Sequence, residues 1–107
     1  MNKDFDNRHL QIDELLKREM GDLLVKEVDF PKGCLVTITK VVTDRDIKEA
    51  DIYISVLPKA FTGKVLSLMR KRSSHFIYLL RKKVTIKYIP EIKFIIDEPG
   101  EEEGFGF

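Results

Sequence analysis

Cysteine is nearly absent from this chain: Cys34 is the single thiol in 107 residues. One thiol cannot close an internal disulfide and supplies no pair of metal ligands, so a reducing, cytoplasmic setting is expected. Long apolar runs are missing too. None approaches the roughly 20 residues of a membrane span, and residues 1–7 lack the apolar core of a signal peptide. The six glycines, at positions 21, 33, 63, 100, 104 and 106, never fall in the Gly-x-x-Gly spacing that clamps a nucleic-acid backbone. No nucleophile–base–acid set, phosphate-binding glycine loop or metal cluster can be assembled, which argues against an enzyme, a cofactor and a small-molecule substrate. His9 has no Cys or His partner at ligand spacing and reads as a plain surface side chain.

Charge is abundant, and it is segregated. From Lys59 to Lys93 ten basic residues stand against Glu91 alone, a local charge of +9, inside a chain whose net charge is +1. Residues 1–58 carry −3, and residues 94–107 carry five acids and no base. A near-zero total therefore conceals a polarised molecule whose basic stretch attracts a polyanion, RNA or DNA being the usual one. The 43% hydrophobic content and the length suit one folded domain with a single core.

The apolar spacing predicts the elements. Residues 1–7 are polar and read as a flexible N-terminus, with Asp6 or Asn7 available to cap a helix from Arg8 to about Glu27. In that helix Ile12, Leu15, Leu16, Met20, Leu23 and Leu24 share one face. Pro31-Lys32-Gly33 turns the chain. Leu35–Val42, with Thr37 and Thr39 interleaved, and Asp51–Leu57, with Ile52, Ile54 and Val56 on one face, read as antiparallel strands. Asp44 and Asp46 cap the turn between them. Thr62 is placed to cap a helix running to about Arg72 with Val65, Leu68 and Met69 inward. Ser73-Ser74-His75 interrupts the pattern before a second helix built on Phe76, Ile77, Leu80 and Val84. A last strand alternates through Ile92, Phe94 and Ile96, and it can run parallel to its neighbour because helices connect the two. Residues 98–107 read as an acidic disordered tail. The order α-β-β-α-(kink)-α-β gives an α+β two-layer sandwich, a three-stranded sheet with helices on one face.

This order resembles the type II K-homology domain. Four segments, Leu15-Leu-Lys-Arg-Glu-Met, Thr37-Ile-Thr-Lys-Val, Arg45-Asp-Ile-Lys-Glu-Ala-Asp-Ile-Tyr-Ile-Ser-Val-Leu57 and Phe76-Ile-Tyr-Leu-Leu followed by Ile89-Pro-Glu-Ile-Lys-Phe-Ile-Ile-Asp97, resemble the ribosome-binding factor A family in order and spacing. The likeness runs from about Arg8 to Asp97, which implies a K-homology-like ribosome-binding domain over residues 8–97. It implies a factor that binds the small ribosomal subunit and its rRNA late in assembly and supports maturation of the 5′ end of the small-subunit rRNA. Where the family carries an Ala-x-Gly kink this chain has Ser73-Ser74-His75, and Tyr78 stands where a basic residue usually follows the Phe-apolar pair.

With no Gly-x-x-Gly clamp, RNA contact is expected to rest on phosphates, read as shape more than sequence. The candidate RNA-binding residues are Lys64, Arg70, Lys71, Arg72, Ser73, Ser74, His75, Arg81, Lys82, Lys83 and Lys87. Arg70–Arg72 and Arg81–Lys83 each sit at a helix end, where a basic cluster also complements the helix dipole; two clusters flanking one joint favour RNA. His75 is open to two readings, a base- or phosphate-contacting side chain and a partly buried joint residue. Cys34 reads as a semi-buried small hydrophobe. A monomer is expected. The alternatives are a non-catalytic protein-interaction adaptor on the same fold and a general RNA or single-strand DNA binder.

Overall fold

A computed structural model of the chain describes residues 3–86 and 88–97, the first five as backbone. Helix α1 (Lys3–Glu27) leads to strands β1 (Leu35–Thr43) and β2 (Glu49–Leu57). A single 3₁₀ turn at Lys59–Phe61 then enters helices α2 (Thr62–Lys71) and α3 (Ser73–Lys83), and strand β3 (Glu91–Ile96) completes the sheet. The expected tail at 98–107 lies outside the described residues.

The sheet order is β1-β2-β3. β1 and β2 form an antiparallel hairpin, and β2 and β3 run parallel with Ile52 beside Phe94. A parallel neighbour needs a crossover, which α2 and α3 provide. Central β2 alternates strictly: Ala50, Ile52, Ile54 and Val56 are buried, while Asp51, Tyr53 and Ser55 point to the other face. β1 does not alternate throughout. Ile38 and then Val41 and Thr43 are buried, because the register slips between Ile38 and Lys40 and Thr39 becomes the extra residue of a bulge. All helices lie on the buried face. α1 contributes Ile12, Leu16, Met20, Leu23 and Leu24, α2 Val65 and Met69, α3 Phe76 and Leu80. The Phe76 ring meets Phe94 of β3 edge-on at 6.1 Å and 79°.

Three local devices fix how these pieces meet. The turn after Phe30 has Gly33 at φ 78°, with the Cys34 N–H donating to the Pro31 carbonyl at 3.1 Å, a type II geometry that a side chain would strain. In the β1–β2 turn the Asp44 carboxylate accepts the N–H groups of Lys48 at 2.7 Å and Glu49 at 3.1 Å, as expected of a turn cap. Asp13 on α1 accepts both the N–H and the hydroxyl of buried Thr43, at 2.9 and 2.7 Å, pinning the helix to the end of β1.

Several boundaries differ from the expectations. α1 begins at Lys3, before Asp6 and Asn7, so neither stands at a cap position. Thr62 is the first residue of α2 rather than its cap, and Phe61 takes the cap position without a side-chain hydrogen bond. The break between α2 and α3 is one residue, Arg72, at φ −97° and ψ 9°. Ser73, Ser74 and His75 form the first turn of α3 instead of interrupting it.

Candidate nucleic-acid interface

The basic face is built by the same periodicity that fills the core. Val65 and Met69, and Phe76 and Leu80, each lie four residues apart and point at the sheet. That leaves Lys64, Arg70 and Lys71 exposed on α2 and Ser74, Tyr78, Arg81 and Lys82 exposed on α3. Hydrogen bonding carries across the joint: the Arg72 N–H donates to the carbonyls of Leu68 and Met69, both at 3.2 Å. The Arg72 carbonyl in turn accepts from Phe76 at 3.0 Å. His75 therefore needs no left-handed backbone, since Ile47 and Gly33 hold the positive φ values among the described residues. The two helices therefore meet here without the glycine of the family pattern.

The candidate residues do not act alike. No carboxylate lies within ion-pair distance of Lys64, Arg70, Lys71 or Arg81 among the described residues, so their charges are available to a partner. Lys83 turns toward α1 and lies 3.9 Å from Glu19, which also faces Arg18 at 3.8 Å. His75 is exposed and lies 3.8 Å from Glu27 at the other end of the same α1–α3 contact, so it is a surface residue rather than a partly buried one. Arg72 is half-buried, with its Nε shielded and lacking a hydrogen-bond partner among the described residues. Ser73 is half-buried and lines a shallow groove between Arg70 and the β3 residues Lys93 and Ile95. Lys87 lies outside the described residues.

Tyr78 belongs to this face and was not among the expected site residues. Its ring stacks on His75 with centroids 6.4 Å apart, and the Lys82 ammonium lies 4.5 Å from its centre. A hydrogen bond from Lys82, reinforced by its charge, lowers the phenol pKa below its usual 10.0. The signal was present as the spacing 75, 78, 82, one helical stripe. His9 also departs from expectation: it is half-buried, with a shielded Nδ1 that has no hydrogen-bond partner among the described residues. Cys34 is half-buried against the core, as expected. Among the described residues no group of three or more His, Cys, Asp or Glu side chains could hold a metal ion. No described helix is long and apolar enough to cross a membrane.

The opposite, open face of the sheet is chemically different. Glu49, Asp51, Glu91 and Asp97 share it with Lys40 and Lys93. Lys93 lies 3.9 Å from Glu49, Lys40 sits 4.6 Å from the Tyr53 ring centre, and Thr39 donates to Asp97 at 2.6 Å.

Comparison with known proteins gives this architecture its relatives. A crystal structure of ribosome-binding factor A from Thermus thermophilus superposes with a TM-score of 0.73 over 82% of this chain and 93% of that one, at 16% identity. A homology model of the Thermus thermophilus factor, fitted into a cryo-electron-microscopy map of a 30S complex, gives 0.65 over 78% and 88%, at 17% identity. At those identities the likeness is one of fold. In sequence, ribosome-binding factor A of Chlamydia felis is 31% identical over 97 residues, spanning 87% of this chain and 81% of that protein. The ribosome-binding factor A family model matches residues 8–104, nearly the whole chain, and the protein therefore belongs to the ribosome-binding factor A family.

Proposed function

We propose that this protein is a non-catalytic assembly factor that binds the small (30S) ribosomal subunit late in its maturation, contacts rRNA through the α2–α3 face, and assists processing of the 5′ end of 16S rRNA. It acts as a cytoplasmic monomer. Family membership and the 30S complex of the Thermus thermophilus relative support the partner. The observation that carries the RNA contact is the set of Lys64, Arg70, Lys71 and Arg81, exposed on two helices that meet at a one-residue joint and unopposed by acids among the described residues. Cations so arranged displace counterions from a phosphate backbone, which supplies affinity without reading bases. The rigid angle between α2 and α3 then selects for backbone shape. Such a factor works by binding energy alone: it favours one conformation of the rRNA it holds over others by the difference in affinity for the two.

Co-sedimentation with purified small subunits, large subunits and intact ribosomes tests this reading, alongside a variant with Arg70, Lys71, Arg81 and Lys82 changed to Glu. Binding confined to free small subunits and lost in the variant is the expected result. Equal binding to every particle would reduce the face to a non-specific polycation. Small-subunit binding that survives the charge reversal would move the contact to another surface.

A further inference from the structure

A second feature lies away from the face just described. Where the start of α1, the β1–β2 turn and the segment after α3 meet, they enclose an open cleft of about 740 Å³. That is within the roughly 300–1,000 Å³ of small-ligand sites. Its walls combine two cations, Arg8 and Arg45, an apolar lining that includes Leu15, Ile47 and Ile86, and the ring of Tyr88, which is 72% exposed. Asp46 is the one acid among the described lining residues. The cleft is preformed. Asp13 locks α1 to Thr43 at one wall, and Asp44 ties the turn through Lys48 and Glu49. Ile47 holds a left-handed φ of 58°, a conformation that branched side chains rarely adopt and that persists where the surroundings impose it. The cleft is also continuous with the basic helices in sequence: Thr85 and Ile86 line it directly after Arg81-Lys82-Lys83 and Val84.

We propose that this cleft seats one unstacked base of single-stranded RNA. The base stacks on Tyr88, its flanking phosphates meet Arg8 and Arg45, and the Asp46 carboxylate can accept a hydrogen bond from an exocyclic amine. The inference rests on the rRNA reading above and extends it, since the α2–α3 face alone distinguishes backbone shape and not strandedness. Aromatic stacking is the usual way proteins hold splayed-out bases, and it tolerates sequence because every base offers a π-face. A cleft with cations at the rim and an apolar, aromatic interior matches a nucleotide, which brings phosphate and a π-face together, better than an apolar protein side chain, which brings no anion.

Fluorescence anisotropy with two probes tests it: a single-stranded RNA oligonucleotide carrying 2-aminopurine, and a duplex RNA with the same number of phosphates. Tyr88→Ala is expected to weaken the single strand about tenfold, in line with the contribution of one base stack, and to abolish protein-induced quenching of the 2-aminopurine. Duplex affinity should be unchanged, and Tyr88→Phe, which keeps the ring, should behave as wild type. Arg8→Ala should weaken the single strand while leaving the quenching at saturation. Circular dichroism and thermal unfolding establish that each variant is folded. If Tyr88→Ala and Arg8→Ala both bind the single strand like wild type, the cleft does not hold a base, while the rRNA reading stands on its co-sedimentation result. If Tyr88→Ala loses small-subunit binding with both RNA affinities intact, the occupant is a protein and the proposal falls. If wild type binds neither RNA nor small subunits, the parent reading falls and this one with it.

Discussion

The contact between Asp13 and Thr43 offers a sharp test of how α1 is held. Thr43 is 4% exposed, and its N–H and hydroxyl both donate to the same Asp13 oxygen, at 2.9 and 2.7 Å. The two residues are thirty positions apart in the chain, so the pair is a tertiary link rather than a local cap. Changing Asp13 to Ala removes the acceptor of both bonds at once. The hydroxyl retains a weak alternative in the His9 carbonyl, 3.4 Å away, but the buried N–H has none in view. A hydrogen bond to a charged group contributes about 1.5–3 kcal/mol, and an orphaned buried donor costs about 1–3. Because Asp13 itself is half-exposed, water recovers part of the loss, and Asp13→Ala should cost about 2 kcal/mol. In a domain of this size that lowers Tm by roughly 8–16 °C. Asp13→Asn keeps an acceptor oxygen without the charge and should lose about half as much. Equilibrium urea unfolding followed by circular dichroism measures both, with the m value expected to be unchanged. A loss below about 0.5 kcal/mol for Asp13→Ala, the range of an ordinary surface substitution, would mean that the link is incidental. Equal losses for Ala and Asn would mean that charge, and not the hydrogen bonds, is what matters.

Two further perturbations have opposite signs. Gly21 lies within α1, and a Cβ built there meets nothing within 4 Å, so Gly21→Ala should stabilise by about 0.5–1 kcal/mol and raise Tm; a fall in Tm would show that the position needs its missing side chain. Asp44 has its pKa held below the ordinary 3.8, first by the Glu49 N–H and against some desolvation. A carboxyl whose folded pKa lies below its unfolded value contributes stability that is complete above the unfolded pKa and is lost as pH falls through the folded one. Asp44→Ala should thus unfold at lower urea than wild type at neutral pH, with the gap closing below about pH 3.8. A gap that widens on acidification would contradict the turn-cap account.

Much of this fold was legible because burial and periodicity coincide. β2 reads correctly since every second residue from Ala50 to Val56 is buried, and the parallel β3 follows from the helices that must connect it. β1 was legible as a strand, but its two faces were not. The bulge at Thr39 switches the buried parity from Ile38 to Val41, and nothing local to Thr37-Ile-Thr-Lys announces an extra residue. The joint was misplaced for a different reason. Ser-Ser-His reads as a helix breaker, yet serine is well tolerated in a first helical turn, and the break fell one residue earlier on Arg72. The basic candidates were visible as composition; that Lys83 and His75 lean on Glu19 and Glu27 depends on the antiparallel contact of α1 with α3, which no spacing within either helix reveals. The cleft at Arg8, Arg45 and Tyr88 was invisible for the same reason, being assembled from three distant segments.

The layout also explains why a net charge of +1 is a poor guide to what this protein binds. Screening reduces interactions between exposed charges beyond a Debye length, about 8 Å at physiological ionic strength. The smallest dimension of the molecule is 17 Å, about two Debye lengths, so a phosphate on the outer side of α2 and α3 is largely screened from carboxylates on the far side of the sheet. Those carboxylates are moreover partly engaged: Glu49 with Lys93, Asp97 with Thr39. A polyanion at the helical face therefore responds to Lys64, Arg70, Lys71 and Arg81 much as if the far face were absent. At long range and low salt it senses the nearly neutral whole. Attraction should be strong only at short range and in one orientation, which is what the proposed rRNA contact through this face requires.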